Sequence, residues 1–152
     1  MVNLHKPLFL TILLKICIIS ANAQEGRLFS EDPLPLDSSI RYGQLPNGFT
    51  YFIKSIPEPQ SKLYLRLDNK VGSNQDDPDQ LNAAHAVEHL AFKATKNFPL
   101  GILHSGRLAS LNIGMYDLGA SSGLRSTQYY FDAPKDSIEA LNLGLLWFKD
   151  IA

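Results

Sequence analysis

Two hydrophobic rhythms alternate along this chain, and each predicts a different kind of element. Ile40–Leu45 and Phe49–Ile53 are apolar-rich segments on either side of Pro46-Asn47-Gly48. Asn-Gly supplies the left-handed backbone that a tight turn between antiparallel strands requires, so the two segments predict a β-hairpin. Beyond a loop holding Pro57 and Pro59, Leu63, Leu65 and Leu67 alternate with Tyr64, Arg66 and Asp68. That is the period of a strand with one buried face. The polar run Ser73–Gln80, with Asp76, Asp77, Pro78 and Asp79, ends the strand and opens a helix.

Leu81–Lys93 reads as that helix, rich in alanine and leucine, with Lys93 and Lys96 near its C-terminal end, where cations suit the helix dipole. Asn97-Phe98-Pro99 stops it. A second helix is expected over Leu100–Leu111, and from Gly114 onward the pattern turns extended through Tyr116–Leu124 and Thr127–Phe131. Asp136 and Glu139 suggest a capping box for a last helix with Ile138, Leu141, Leu145 and Phe148 on one face. This helix runs to the last residue without a stop signal, and its apolar residues, including Leu145, Leu146, Trp147 and Phe148, are expected to lack a cover. The order is hairpin, strand, helix, helix, two strands, helix. It predicts an α+β fold with helices over a largely antiparallel sheet.

Composition narrows the picture. With 152 residues, 45% hydrophobic and 19% charged, the chain is too apolar and too mixed for a disordered, collagen-like or coiled-coil protein. Residues 1–23 form an expected export signal, with a basic start at Met1–Lys6, an apolar stretch over Pro7–Ile19 and a small-residue cleavage site at Ala21-Asn22-Ala23. The rival reading, an uncleaved anchor, fits less well. A bilayer needs about 20 apolar residues, and Lys15 interrupts this shorter stretch. Export predicts a periplasmic or secreted bacterial protein with no membrane span after cleavage.

Residues 24–39, with Pro33 and Pro35, read as an extended lead-in, and 40–152 as the folded portion. Loss of Lys6 and Lys15 with the signal takes the net charge from −1 to −3, which gives no footprint for nucleic acid. Cys17 is the single cysteine, so the processed chain has neither disulfide nor thiolate and depends on a core or a metal for stability.

The chemistry concentrates in the first helix. Between Leu81 and Lys93 the titratable side chains before the terminal lysine are His85, Glu88 and His89, set among Ala83, Ala84, Ala86, Val87, Leu90, Ala91 and Phe92. Residues four apart lie on one helical face, so His85 and His89 are spaced to share one metal ion. Glu88 lies beside that face, where a carboxylate can hold a metal-bound water and accept its proton. The bland alternative is two core histidines with backbone partners and a solvated glutamate. By composition the pattern His-x-x-Glu-His arises by accident on the order of a few times in a thousand chains of this length. A carboxylate buried beside two imidazoles is costly unless a cation or good hydrogen bonds compensate, which also favours chemistry.

His85-Ala86-Val87-Glu88-His89 is the inverted zinc motif. Together with Ala84 before it and Phe92-Lys93-Ala94-Thr95-Lys96-Asn97-Phe98-Pro99 after it, it resembles the pitrilysin/insulinase (M16) zinc peptidases. The Leu45–Tyr51 hairpin and the Thr127–Phe131 strand fit the same N-terminal domain, so the resemblance covers roughly residues 40–152. It implies the N-terminal portion of the M16 (LuxS/MPP-like) metallohydrolase fold. It also implies zinc held by His85 and His89, and Glu88 as the general base that activates water for attack on a peptide carbonyl. The substrate is then an extended peptide added as a strand along Tyr116–Ser122, held by the backbone of Gly119, Ala120 and Ser121. The resemblance leaves room for a partner M16 half or subunit.

Several positions depart from the family pattern. Asn82 and Ala94 stand where glycine is usual, and Gly119-Ala120 replaces the common Asn-Ala, removing an amide that helps to position substrate. The family's third zinc ligand, a glutamate on a downstream helix, falls beyond Ala152, so an incomplete peptidase unit is the expectation. Glu139, His104, Asp117 and Asp132 are the in-chain substitutes to weigh, with Glu139 and His104 more readily explained as a capping and a surface residue. Three rivals remain. S-ribosylhomocysteine lyase shares the motif but needs a cysteine ligand and is cytosolic. A non-catalytic M16-like peptide-binding scaffold and an inactive gene fragment are the others.

Overall fold

A computed structural model describes residues 35–57 and 62–152. The export signal and most of the lead-in lie outside the described residues. Two compact units are distinguished, one ending at Ser55 and one beginning at Ile56.

The first unit contains the predicted hairpin. β1 (Ile40–Gln44) and β2 (Thr50–Lys54) pair antiparallel from Ile40 opposite Lys54 to Gln44 opposite Thr50. The turn closes on Leu45, whose N–H donates to the Phe49 carbonyl at 2.8 Å and whose own carbonyl accepts from Gly48 at 2.9 Å. Gly48 takes the left-handed backbone, φ 87°, that the Asn-Gly pair predicts.

The second unit holds a three-stranded antiparallel sheet in the order β3-β5-β4, formed by β3 (Lys62–Asn69), β4 (Leu118–Ser122) and β5 (Thr127–Pro134). Its helices are α1 (Ala83–Lys93), the single turn α2 (Arg107–Ser110) and α3 (Ile138–Ile151). α1 packs against β4, and α3 against β3 and β5. The α+β arrangement with an antiparallel sheet under helices is therefore present. Alternation places Thr127, Tyr129, Phe131 and Ala133 of β5 on the helix side, all buried. Tyr129, Phe131 and Ala133 meet Leu67, Leu118, Ile102, Leu143 and Trp147 in one core. Trp147 is fully buried, with its ring centroid 5.1 Å from Phe92 and 6.0 Å from Tyr129.

Three local expectations are corrected. Leu100–Leu111 is not one helix but a 3₁₀ turn over Ile102–His104 followed by α2. Gly101 and Gly106 sit at φ 83° and 72°, backbone that no helix continues through and that glycine adopts without penalty. The last helix is capped by Ser137, whose Oγ accepts from the Ala140 N–H at 3.1 Å, rather than by Asp136 and Glu139.

The buried stripe of α3 is Ala140, Leu143, Gly144, Trp147 and Phe148, while Ile138 and Leu145 are exposed. A leucine-rich helix offers overlapping apolar stripes. The one chosen here lays the backbone at Gly144 close against Phe131 and Leu65. Most of the apolar surface expected to lack a cover is therefore covered by the sheet.

Candidate active site

The site is built on α1, which neighbours grip at both ends. At the start, the Asp76 carboxylate accepts from the Ala84 N–H at 2.9 Å, meeting one of the donors that a helix leaves unpaired in its first turn. Asn82, the residue before the helix, has φ 67° and gives no side-chain cap. Left-handed backbone at this point explains the departure noted above, because asparagine tolerates it better than any β-branched or bulky residue. Ala94, the other departure, is extended at φ −159°, which asks for no glycine.

At the C-terminal end the buried Trp147 Nε1–H donates to the Ala91 carbonyl at 3.1 Å. Just beyond, Asp150 accepts from Thr95 Oγ1 at 2.7 Å, from the Asn97 N–H at 2.7 Å and from Asn97 Nδ2 at 2.6 Å. Burial pushes the Asp150 carboxyl up, but these hydrogen bonds outweigh it and leave the group below its ordinary value. The segment that follows the motif is thus pinned to α3.

Between these anchors the four-residue spacing acts as expected. His85 Nε2 and His89 Nε2 lie 3.1 Å apart, with ring centroids 4.8 Å apart and planes tilted by 44°. Two zinc–nitrogen bonds of about 2.0–2.1 Å span this separation, which is close to the roughly 3.3 Å edge of a tetrahedron with such bonds. Both rings are exposed. The pair therefore fits a zinc ion.

Glu88 differs from the two imidazoles. Its side chain turns into the fold, and the residue is 8% exposed. The carboxylate is thus buried, as the sequence reading has it, while the two imidazoles beside it are exposed. Ser122 Oγ donates to Glu88 Oε2 at 2.7 Å, Thr127 Oγ1 donates to the Val71 carbonyl at 2.9 Å, and the two hydroxyl oxygens are 3.2 Å apart. Tyr129 is close enough that the Glu88 charge, after burial itself, pushes its phenol up.

Among the described residues no group of three or more His, Cys, Asp or Glu side chains gathers around a metal position. Asp117 is paired with Lys62 and accepts from the Gly114 N–H. Asp132 is paired with Arg66. Glu139 and His104 are exposed. None of these four joins the imidazole pair.

Gly119, Ala120 and Ser121 lie on β4, which pairs with β5 and, among the described residues, has no strand on its other side. Gly119 faces Tyr130 across the register. A Cβ at Gly119 would lie 2.5 Å from the Tyr130 hydroxyl, so the phenol ring fills the space that a side chain at this position would enter. Sequence reasoning missed Ser122, Thr127, Asp76, Trp147 and Asp150. Ser122, Trp147 and Asp150 reach α1 or the residues after it from far along the chain, Thr127 lies against Ser122, and only Asp76, in an acidic run just before a predicted helix, carried a local signal.

The chain is similar to known proteases over most of its length. Residues 52–146 match the family model described as insulinase (peptidase family M16). The probable zinc protease PqqL of Haemophilus influenzae is 32% identical over 124 residues, which cover 80% of this chain and 13% of that protein. The probable zinc protease PqqL of Escherichia coli is 33% identical over 126 residues, covering 82% and 13%. The crystal structure of the first half of the periplasmic protease PqqL from Escherichia coli superposes with a TM-score of 0.72 at 29% identity, over 79% of this chain and 26% of that one. The chain thus spans about one-eighth of the length of the curated PqqL relatives it matches.

Proposed function

Because the chain belongs to the insulinase (M16) family of peptidases, we propose that it carries the water-activating part of a zinc endopeptidase site that hydrolyses extended peptides. The observation that carries this reading is the convergence of the two imidazoles, with His85 and His89 Nε2 only 3.1 Å apart on the turn that also holds Glu88. His85 and His89 would hold the zinc. When bound, zinc lowers the pKa of water and polarises a carbonyl.

Glu88 is the general base. It takes the proton of the attacking water and passes it to the departing amine as the peptide C–N bond breaks. The edge of β4, unpaired among the described residues, receives the peptide as an added strand, and the backbone of Gly119, Ala120 and Ser121 supplies the hydrogen bonds. Side chains at this edge contribute less than in relatives with asparagine, because Tyr130 occupies the space beside Gly119. Among the described residues two imidazoles leave zinc short of the three protein ligands usual in catalytic sites, so these residues by themselves would hold the metal weakly. A third ligand from outside the described residues would complete the site, and the reading leaves room for a partner M16 half.

Export by residues 1–23 places the protein in the periplasm or outside the cell, in keeping with the relative described as a periplasmic protease. No helix among the described residues is long and apolar enough to cross a membrane.

The test uses a protein of the relatives' full length that carries this chain. About one zinc per active domain is expected, with Glu88→Gln abolishing peptide cleavage while zinc stays bound and His89→Ala losing both. Undiminished cleavage by Glu88→Gln would rule out the mechanism.

A further inference from the structure

The hydroxyl pair beneath Glu88 has no part in the chemistry above, and its geometry gives it one. Ser122 is the last residue of β4 and Thr127 the first of β5, opposite each other in the register and both on the side that α1 covers. Each hydroxyl has one proton to give. Thr127 gives its proton to the Val71 carbonyl at 2.9 Å. Ser122 has two acceptors in reach, the Glu88 carboxylate at 2.7 Å and the Thr127 oxygen at 3.2 Å. The nearer and charged acceptor wins, because hydrogen bonds to an ionised group are roughly twice as strong as neutral ones. The direction of the bond is thereby set, and it ends on Oε2 of Glu88.

From this geometry we infer that Ser122 is a positioning residue for the general base, fixing the Glu88 carboxylate in one rotamer through Oε2 and leaving Oε1 to face the reacting water. Among the described residues no other hydrogen bond reaches this carboxylate. A glutamate side chain has three rotatable bonds and scatters its carboxylate unless something holds it. The holding group sits on the strand proposed to receive the peptide, so one hydrogen bond ties the base to the substrate's own register. Thr127, with its proton committed to the Val71 carbonyl, has none to give Ser122, so the 3.2 Å contact between the two oxygens does not compete with the bond to Glu88.

This inference rests on Glu88 being the base, and the experiment separates the two claims. In the full-length protein, Ser122→Ala is expected to lower kcat by about tenfold to a hundredfold, the worth of a hydrogen bond to a charged group. KM and zinc content should hold. Ser122→Thr restores the hydroxyl and should recover most of the rate. In a crystal structure of Ser122→Ala, Glu88 should occupy more than one rotamer.

A wild-type kcat in Ser122→Ala, a Ser122→Thr as impaired as the alanine variant, loss of zinc, or an unmoved Glu88 rotamer would each overturn the inference. If Glu88→Gln is inactive while Ser122→Ala is not, only the positioning role falls. If Glu88→Gln stays active, the reading of the base falls with it.

Discussion

Trp147→Phe probes the joint between the metal-binding helix and the sheet. The indole is fully buried in α3, touches Phe92, Tyr129, Phe131 and Phe148, and donates to the Ala91 carbonyl at 3.1 Å, two residues after His89. Phenylalanine keeps a ring but removes two carbons and the N–H. The lost burial is worth roughly 1.6 kcal/mol at about 0.8 kcal/mol per carbon. The Ala91 carbonyl, left in a buried place without its donor, adds about 1–3 kcal/mol. Together the loss is about 3–5 kcal/mol, a large share of the 5–15 kcal/mol that roughly holds such domains folded.

Urea denaturation followed by far-UV circular dichroism measures this loss. Trp147 is the single tryptophan, so intrinsic fluorescence follows the parent but not the variant. Replacement by benzothienylalanine, which keeps the two-ring shape and lacks the N–H, isolates the hydrogen bond and should cost about 1–3 kcal/mol by itself. A loss below about 1 kcal/mol for Trp147→Phe would refute the claim that this indole locks α1 to α3.

Two further outcomes are expected. Asp150→Asn should lower stability by about 1–2 kcal/mol near neutral pH, since three donors converge on a carboxylate that is only partly buried. Asp150 is held below its ordinary value of about 4, so its contribution is complete above that pH and disappears as pH falls through the lower folded value. Denaturation curves of parent and variant should therefore converge in acid, and a gap that persists or widens there would contradict the assignment. Asn82→Gly should change the melting temperature little, whereas Asn82→Ala should cost roughly 1 kcal/mol for left-handed backbone. The Asn82 side chain makes no cap bond, so an alanine variant as stable as the parent would mean that φ 67° is not required.

The parts of this protein that were legible in its sequence are those governed by neighbours along the chain. Asn47-Gly48 makes the hairpin turn because the left-handed backbone is a property of those two residues. Alternation over Leu63–Leu67 makes β3, and four-residue spacing brings His85 and His89 together because helical geometry repeats wherever a helix forms. What the tertiary structure alone decided depends on residues far apart. The partner of Glu88 is Ser122, 34 positions away, and the donor to Ala91 is Trp147, 56 positions away. Which stripe of α3 is buried, and which of its polar residues caps it, follow from the sheet that α3 meets and from backbone closure at Ser137. Periodicity reports only that a side chain needs a cover or a partner. Packing chooses which group supplies it, because that choice is made by distances the linear order does not contain.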